Sequence, residues 1–235
     1  MAHKDFALDE STSITIYKRR SSRSLRLSIA ADGKIRVSIP YWAPYRAGLE
    51  FAKSRRNWIN EQRKPALEIT DGQAIGKAHH LQYNPSSDTT QIRSRIKHGQ
   101  IIITYPDVMD SKDPKIQAVA LKASIRALRV QAEQLLPIRL KELAEKHGFE
   151  YSSVSVKNMK SRWGSCDQRR NIVLNVYLVQ LPWDLIDYVL LHELTHTKVL
   201  KHGPVFWKAM AEDLPDVQQR RKMVLKHQPI LGHPM

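Results

Sequence analysis

The period of the apolar positions changes along this chain, and the changes outline its elements. Over Ser13–Lys18 the residues alternate, with Ile14 and Ile16 on one face. Successive strand side chains point to opposite faces, so a period of two marks a sheet with one buried side. Ser24–Ala30 repeats the pattern through Leu25, Leu27 and Ile29, and Ile35–Ile39 repeats it through Ile35, Val37 and Ile39. Asp32-Gly33 between them suits a tight turn, so Leu25–Ile39 is expected to be a hairpin with one apolar face. Pro44 then opens a helix to about Gln62, with Leu49, Phe51, Ala52, Trp58 and Ile59 as candidate core positions. Ala78–Tyr83, Thr90–Lys97 and Gln100–Tyr105 return to strand character, the last two joined at His98-Gly99.

A different regime starts after Pro106–Pro114. Lys115–His147 reads as a long helical stretch that Pro137 should kink or divide, because proline lacks the backbone donor and clashes with the preceding turn. Gly148 is a natural C-cap. Val154–Asn158, Ser161–Cys166 and Asn171–Val179 read as strands, with a turn at Asp167–Arg170. A helix over about Trp183–Leu200 follows, then shorter ones over Val205–Asp213 and Asp216–His227. No internal repeat or low-complexity segment is visible. The class is therefore α+β: a β-rich N-terminal subdomain over residues 1–108, then a domain over 109–235 that combines helices with an antiparallel sheet.

The second domain carries the chemistry. His192-Glu193-Leu194-Thr195-His196 ends an apolar run, Leu185–Leu191, that suits a buried helix begun near Pro182. Helical residues four apart lie about 40° apart on one face and about 6 Å apart along the axis. His192 and His196 can therefore aim two imidazoles at one ion, with His202 as third ligand before the Gly203-Pro204 break. Zinc suits imidazole, and a catalytic zinc keeps three protein ligands and one water. Glu193, beside the first ligand, is placed to act on that water as general base. Metzincin proteases have the same interval between second and third histidine but a glycine midway, where the chain turns sharply. Here Val199 holds that place, and a β-branched residue resists positive φ. The helix is expected to run on slightly, with His202 supplied by its frayed end or the next turn. His79-His80 is no second site, because adjacent strand residues face opposite ways.

Further segments accompany the motif: Arg162-Trp163-Gly164-Ser165-Cys166, Asn171-Ile172-Val173-Leu174-Asn175, the Asp187-Tyr188-Val189 lead-in, and Pro204-Val205-Phe206-Trp207 after His202. In this order they resemble the YgjP-like metallopeptidases, relatives of the SprT-like and WLM zinc proteases. The N-terminal half is similar too, through Arg23–Leu27, Gly33–Val37 and Asn57-Trp58-Ile59. The resemblance implies a zincin-like catalytic domain, with His192, His196 and His202 as zinc ligands and Glu193 as catalytic base. The family often has Asn before and Ser after the third histidine; this chain has Lys201 and Gly203.

Composition sets outer limits. No run approaches the 18 apolar residues of a membrane span, and the polar start, Met1–Asp5, has no apolar signal region. A single cysteine excludes an intrachain disulfide and fits a cytoplasmic setting. The formal charge of +15 favours acidic partners or nucleic acid, and Lys18-Arg19-Arg20 with Arg23 and Arg26 is the densest basic run. The expected activity is hydrolysis of a polypeptide, with Tyr177, Tyr188, Arg162 and His227 as candidate donors to the tetrahedral oxyanion. Arg162–Cys166 is either an edge strand that pairs with an extended substrate or core, with Trp163 inside and Gly164 at a bulge. Cys166 as a fourth ligand would leave no position for water, and Phe206 and Trp207 should pack beneath the site. The alternatives are a nucleic-acid-binding protein with a structural zinc site, for which Glu193 would have no purpose, and a protease acting on DNA-bound proteins. Oligomeric state leaves no mark in the sequence.

Overall fold

Two four-stranded sheets of identical strand order occupy the first part of the chain. The computed structural model describes residues 3–9, 12–29, 35–62, 68–159, 161–227 and 231. The chain divides into two compact units, Met1–Leu67 and Glu68–Met235.

In the first unit β1 (His3–Asp9), β2 (Thr12–Arg19), β3 (Arg26–Ile29) and β4 (Ile35–Pro40) form a sheet of order β1-β2-β4-β3. The outer pairs are antiparallel and β2–β4 is parallel. The alternation read from the sequence appears directly: Ile14, Ile16, Ile35, Val37 and Ile39 are all buried, and with Ala43, Ala52 and Ile59 they form the core. The β3–β4 hairpin forms as expected, with Ile29 opposite Ile35; its Asp32-Gly33 turn lies outside the described residues. The expected single helix is two, α1 (Tyr45–Ser54) and α2 (Arg56–Gln62), broken at Arg55. The break re-phases the second segment, so Ile59 is buried while Trp58 is 39% exposed.

The second unit begins with β5 (Ala74–Ile75), β6 (His79–Ser86), β7 (Arg93–Lys97) and β8 (Gln100–Pro106), in the order β5-β6-β8-β7 with β6–β8 parallel. The β7–β8 turn uses two residues of positive φ, His98 at 48° and Gly99 at 75°. α3 (Pro114–His147) covers this sheet and continues onto the elements that follow it. The boundary expected at 108 therefore falls earlier, after Leu67: the β5–β8 sheet shares α3 with the rest of the unit and one core runs through both. α3 starts at Asp113, whose side chain accepts from the Lys115 N–H at 2.7 Å, and stops at Gly148 in the left-handed region. It runs continuously through Pro137. Alanines 120, 123, 127, 132 and 144 line its buried stripe, which permits close approach of its neighbours.

Beyond α3 lie β9 (Ser153–Lys157), β10 (Gly164–Cys166), β11 (Asn171–Asn175), a 3-10 helix (Val176–Gln180), α4 (Trp183–His196), α5 (Pro204–Asp213) and α6 (Val217–Lys226). The α+β class is as expected. The third sheet, order β10-β11-β9, is mixed rather than antiparallel, because β11 returns beside β9 in the same direction. The strand expected to reach Val179 stops at Asn175, whose side chain accepts from the Tyr177 N–H at 3.3 Å and turns the chain into the 3-10 helix. Among the described residues no helix is long and apolar enough to cross a membrane.

Candidate active site

α4 is buried along most of its length, so its C-terminal end is held rigidly. Pro182 precedes it, and its carbonyl accepts from the Leu185 and Ile186 N–H groups. Leu185, Ile186, Leu190 and Leu194 are all within 2% of full burial and fix its rotation. The helix ends at His196 rather than near Leu200. The reason is visible at Val199, which sits in the turn beyond, without positive φ, its carbonyl accepting from His196 Nδ1–H at 3.1 Å. That bond puts the His196 proton on Nδ1 and leaves Nε2 with a free lone pair. His202 comes from the following loop, just before α5 begins at Pro204.

The three histidines converge. His202 Nε2 lies 3.0 Å from His196 Nε2 and 2.9 Å from His192 Nε2. Tetrahedral zinc at ordinary imidazole distances would set such nitrogens about 3.3 Å apart, so the donor set fits a small divalent ion with only slight expansion. Burial, reinforced by the charges of His196, His202 and Arg221, pushes His192 down to about 3, and burial lowers His196 as well. Both are therefore neutral and able to donate lone pairs at physiological pH. Phe206 floors the cluster, fully buried, with its ring 4.9, 4.6 and 4.9 Å from those of His192, His196 and His202. Trp207 stacks on His202 at 6.0 Å.

Glu193 is 5% exposed, and its Oε2 has no hydrogen-bond partner among the described residues. A buried carboxylate oxygen left unpaired costs free energy unless something outside the chain supplies a donor. Burial pushes the carboxyl up to about 8, against the opposing charge of Arg162. The group is held by a steric device. A Cβ on Gly164 would lie 2.6 Å from Glu193 Oε1, 2.7 Å from Cγ and 2.8 Å from Cδ. Only glycine lets the carboxylate lie against β10. Gly164 itself is paired with Leu174 of β11. The loop before it is pinned by Asn175, fully buried, whose Nδ2 donates to the Met159 and Arg162 carbonyls at 2.9 and 2.8 Å.

The other candidates separate. Tyr188 borders the cluster, its ring 6.1 Å from that of His192. Arg162 is near enough for its charge to act on Glu193. Tyr177 is buried and its hydroxyl accepts from Asn158 at 3.5 Å. His227 caps the end of α6. Trp163 is core, 9% exposed. Cys166 is outside the converging set; its thiol donates to the Asp167 carbonyl at 3.5 Å, and burial, then Glu193 and Asp167, push it up to about 11. His79 accepts from Gln131 Nε2 at 2.8 Å, a structural use. Three contributors lacked a sequence signal strong enough to find them: Gly164 as the seat of Glu193, Asn175 as the pin of its loop, and Arg221, which lies over Trp207 at 4.5 Å.

Two solved structures are similar over part of the chain. The metallopeptidase zymogen abylysin of Pyrococcus abyssi is 18% identical, over 39% of this chain and 92% of its own, with a TM-score of 0.36. The metallopeptidase zymogen jannalysin of Methanocaldococcus jannaschii is 22% identical, over 38% of this chain and 96% of its own, with a TM-score of 0.33. No curated protein matches. The YgjP-like metallopeptidase domain matches residues 23–228, which takes in about two thirds of the first unit and nearly all of the second, and the chain therefore belongs to the YgjP-like metallopeptidases, hydrolases that use a metal ion to cleave polypeptides.

Proposed function

We propose that this protein is a zinc-dependent peptidase in which His192, His196 and His202 hold the metal and Glu193 is the general base. The observation that carries the reading is the pairing of three converging Nε2 atoms with a buried, unpartnered carboxylate next to the first of them. Zinc, when bound, supplies Lewis acidity that brings a water towards neutral pKa and polarises the scissile carbonyl. Glu193 takes the proton from the attacking water and returns it to the leaving amine. Tyr188, whose ring lies 6.1 Å from that of His192, is the candidate donor to the oxyanion among the tyrosines named from sequence. β10 is the edge strand of its sheet, and an extended peptide adding to it would run past Glu193.

A structural zinc site is disfavoured because the cluster holds three histidines and, among the described residues, no fourth ligand, and because the adjacent carboxylate would be buried to no purpose. Metal analysis and a peptide digest test the proposal together. The protein is expected to bind about one zinc per chain, with Glu193→Gln retaining the metal but losing hydrolysis, and His202→Ala losing both. Undiminished hydrolysis by Glu193→Gln would remove Glu193 from the mechanism. Full zinc retention by His202→Ala would remove His202 from the ligand set.

A further inference from the structure

α6 carries two consecutive arginines with different surroundings. Arg220 is tied down: its Nε donates to Asp216 at 2.8 Å, and its Nη1 donates to the Asp184 carbonyl at 2.7 Å and lies 3.9 Å from the Asp184 carboxylate. Arg221 has no carboxylate partner among the described residues. Its guanidinium instead lies over the Trp207 ring, 4.5 Å from the centroid, and the other side of that arrangement leads to the metal site: Trp207 stacks on His202 at 6.0 Å and lies 6.1 Å from His192. The placement is close enough that the Arg221 charge acts on both His192 and Tyr188. Arg162 is a second arginine without an ion pair among the described residues, and its charge acts on Glu193. The charges of Arg221 and Arg162 thus both act on the site, and its Glu193 is buried and assigned to proton transfer.

An arginine stacked on an indole loses much of its rotational freedom while its planar edge of N–H donors stays open. That edge matches a carboxylate in a two-bond fork, which a lysine cannot reproduce. Held at the rim of a metal centre, it is suited to fix one end of a bound substrate.

We propose that Arg221 is the specificity-determining residue of the site and binds a carboxylate of the peptide substrate, so that the enzyme selects substrates carrying a negative charge near the scissile bond. The inference rests on the peptidase reading above. The carboxylate could belong to the substrate's C-terminus or to an aspartate or glutamate side chain, and the two sources are separable.

Two pairs of peptides of otherwise identical sequence test it: one pair differing in a free against an amidated C-terminus, the other in Glu against Gln at successive positions around the cleaved bond. Zinc-loaded wild-type enzyme is expected to favour the charged member of one pair by about 10- to 100-fold in kcat/KM, the range of a charge-assisted contact. Arg221→Met, which keeps an apolar side chain over Trp207, should abolish that preference by raising KM for the charged member to that of the neutral one, and Arg221→Lys should restore it in part. Loss confined to the first pair identifies the chain terminus as ligand; loss confined to the second identifies an acidic side chain. A loss of rate equal for charged and neutral peptides would mean a merely structural role and overturn the proposal. So would the absence of a charge preference in wild type, or its persistence in Arg221→Met. Calorimetric titration of the same peptides into zinc-loaded Glu193→Gln, with and without Arg221→Met, reads binding without hydrolysis. Discrimination there, with no hydrolysis by wild type, would refute the peptidase reading and leave the Arg221 assignment standing.

Discussion

Replacing Gly164 with alanine probes the site most directly, because it alters neither a metal ligand nor a charged group. The added methyl would sit 2.6 Å from Glu193 Oε1, 2.7 Å from Cγ and 2.8 Å from Cδ. Carbon atoms in comfortable contact are about 3.5–4.0 Å apart, so one of the two groups must move by about 1 Å. β10 is hydrogen-bonded to β11 through Gly164, Ser165 and Cys166, and its leading loop is pinned by Asn175. The side chain of Glu193 therefore yields rather than the strand. Overpacking of this kind costs about 1–3 kcal/mol, which in a unit of this size lowers the melting temperature by roughly 2–12 °C. The effect on rate is larger in proportion: a 1 Å misplacement of a catalytic group costs about 10²-fold. The three atoms nearest an added Cβ all belong to Glu193 rather than to a histidine, so metal content should be unchanged. A double-mutant cycle isolates the cause. Gly164→Ala in a Glu193→Gln background, where the base is already absent, should lower the rate no further. Wild-type kcat/KM in a fully metallated Gly164→Ala protein would refute the reasoning, as would additive losses in the cycle.

Other consequences are as concrete. Gln131 on α3 accepts from the Lys77 and Ala78 N–H groups at 2.6 and 3.0 Å and donates to the Ile75 carbonyl at 2.9 Å, beside Gly76, whose φ of 70° no larger residue would adopt easily. Gln131→Leu leaves those backbone groups without partners and should cost at least about 2 kcal/mol, read as a fall in melting temperature; an unchanged value would show that water replaces the amide. Asp187 accepts two hydrogen bonds from Arg139, at 2.8 and 2.7 Å, on a half-exposed surface. Asp187→Asn should cost about 1 kcal/mol, and the loss should shrink in high salt; a salt-independent loss would assign the effect to packing. With Cys166 raised from 9.0 to about 11, its thiolate is scarce at pH 8. Iodoacetamide should label it about a hundredfold more slowly than an ordinary thiol in the metal-free protein, and labelling at the ordinary rate would contradict its half-buried, acidic surroundings.

The elements that periodicity could reach were those with one buried face. β2, β4, β8, α5 and α6 fall within a few residues of expectation because a single sheet or helix face decides each of them. The parallel pairings β2–β4, β6–β8 and β9–β11 were not legible. Pairing direction depends on which strand returns beside which, and alternation is the same either way. The strand β1 and the two-residue β5 carry too weak a pattern to register. The domain boundary was misplaced because a long helix after a strand-rich segment looks like a new beginning, whereas α3 is the surface on which β5–β8 folds. With the division after Leu67, the first unit holds 14 Lys+Arg against 6 Asp+Glu, so it carries over half of the net charge of +15. At the site, the helical spacing of His192 and His196 was enough to bring them together, and His202 was found by its interval. The seat of Glu193 was not, since a glycine's partner across the fold leaves no trace in its own neighbourhood.

The three histidines span only residues 192–202, so the ion's binding pocket is assembled by one helix end and the loop after it. Gly164 lies 29 positions before Glu193 and arrives by a different route, on a strand that must first pair with β11. Contacts close in sequence form before distant ones. On the proposed function, a folding chain would therefore be able to bind its metal while Glu193 still lacked its seat, and hydrolysis would wait for the sheet to close. Loading and activation would then be separate events, the later one governed by a residue with no side chain.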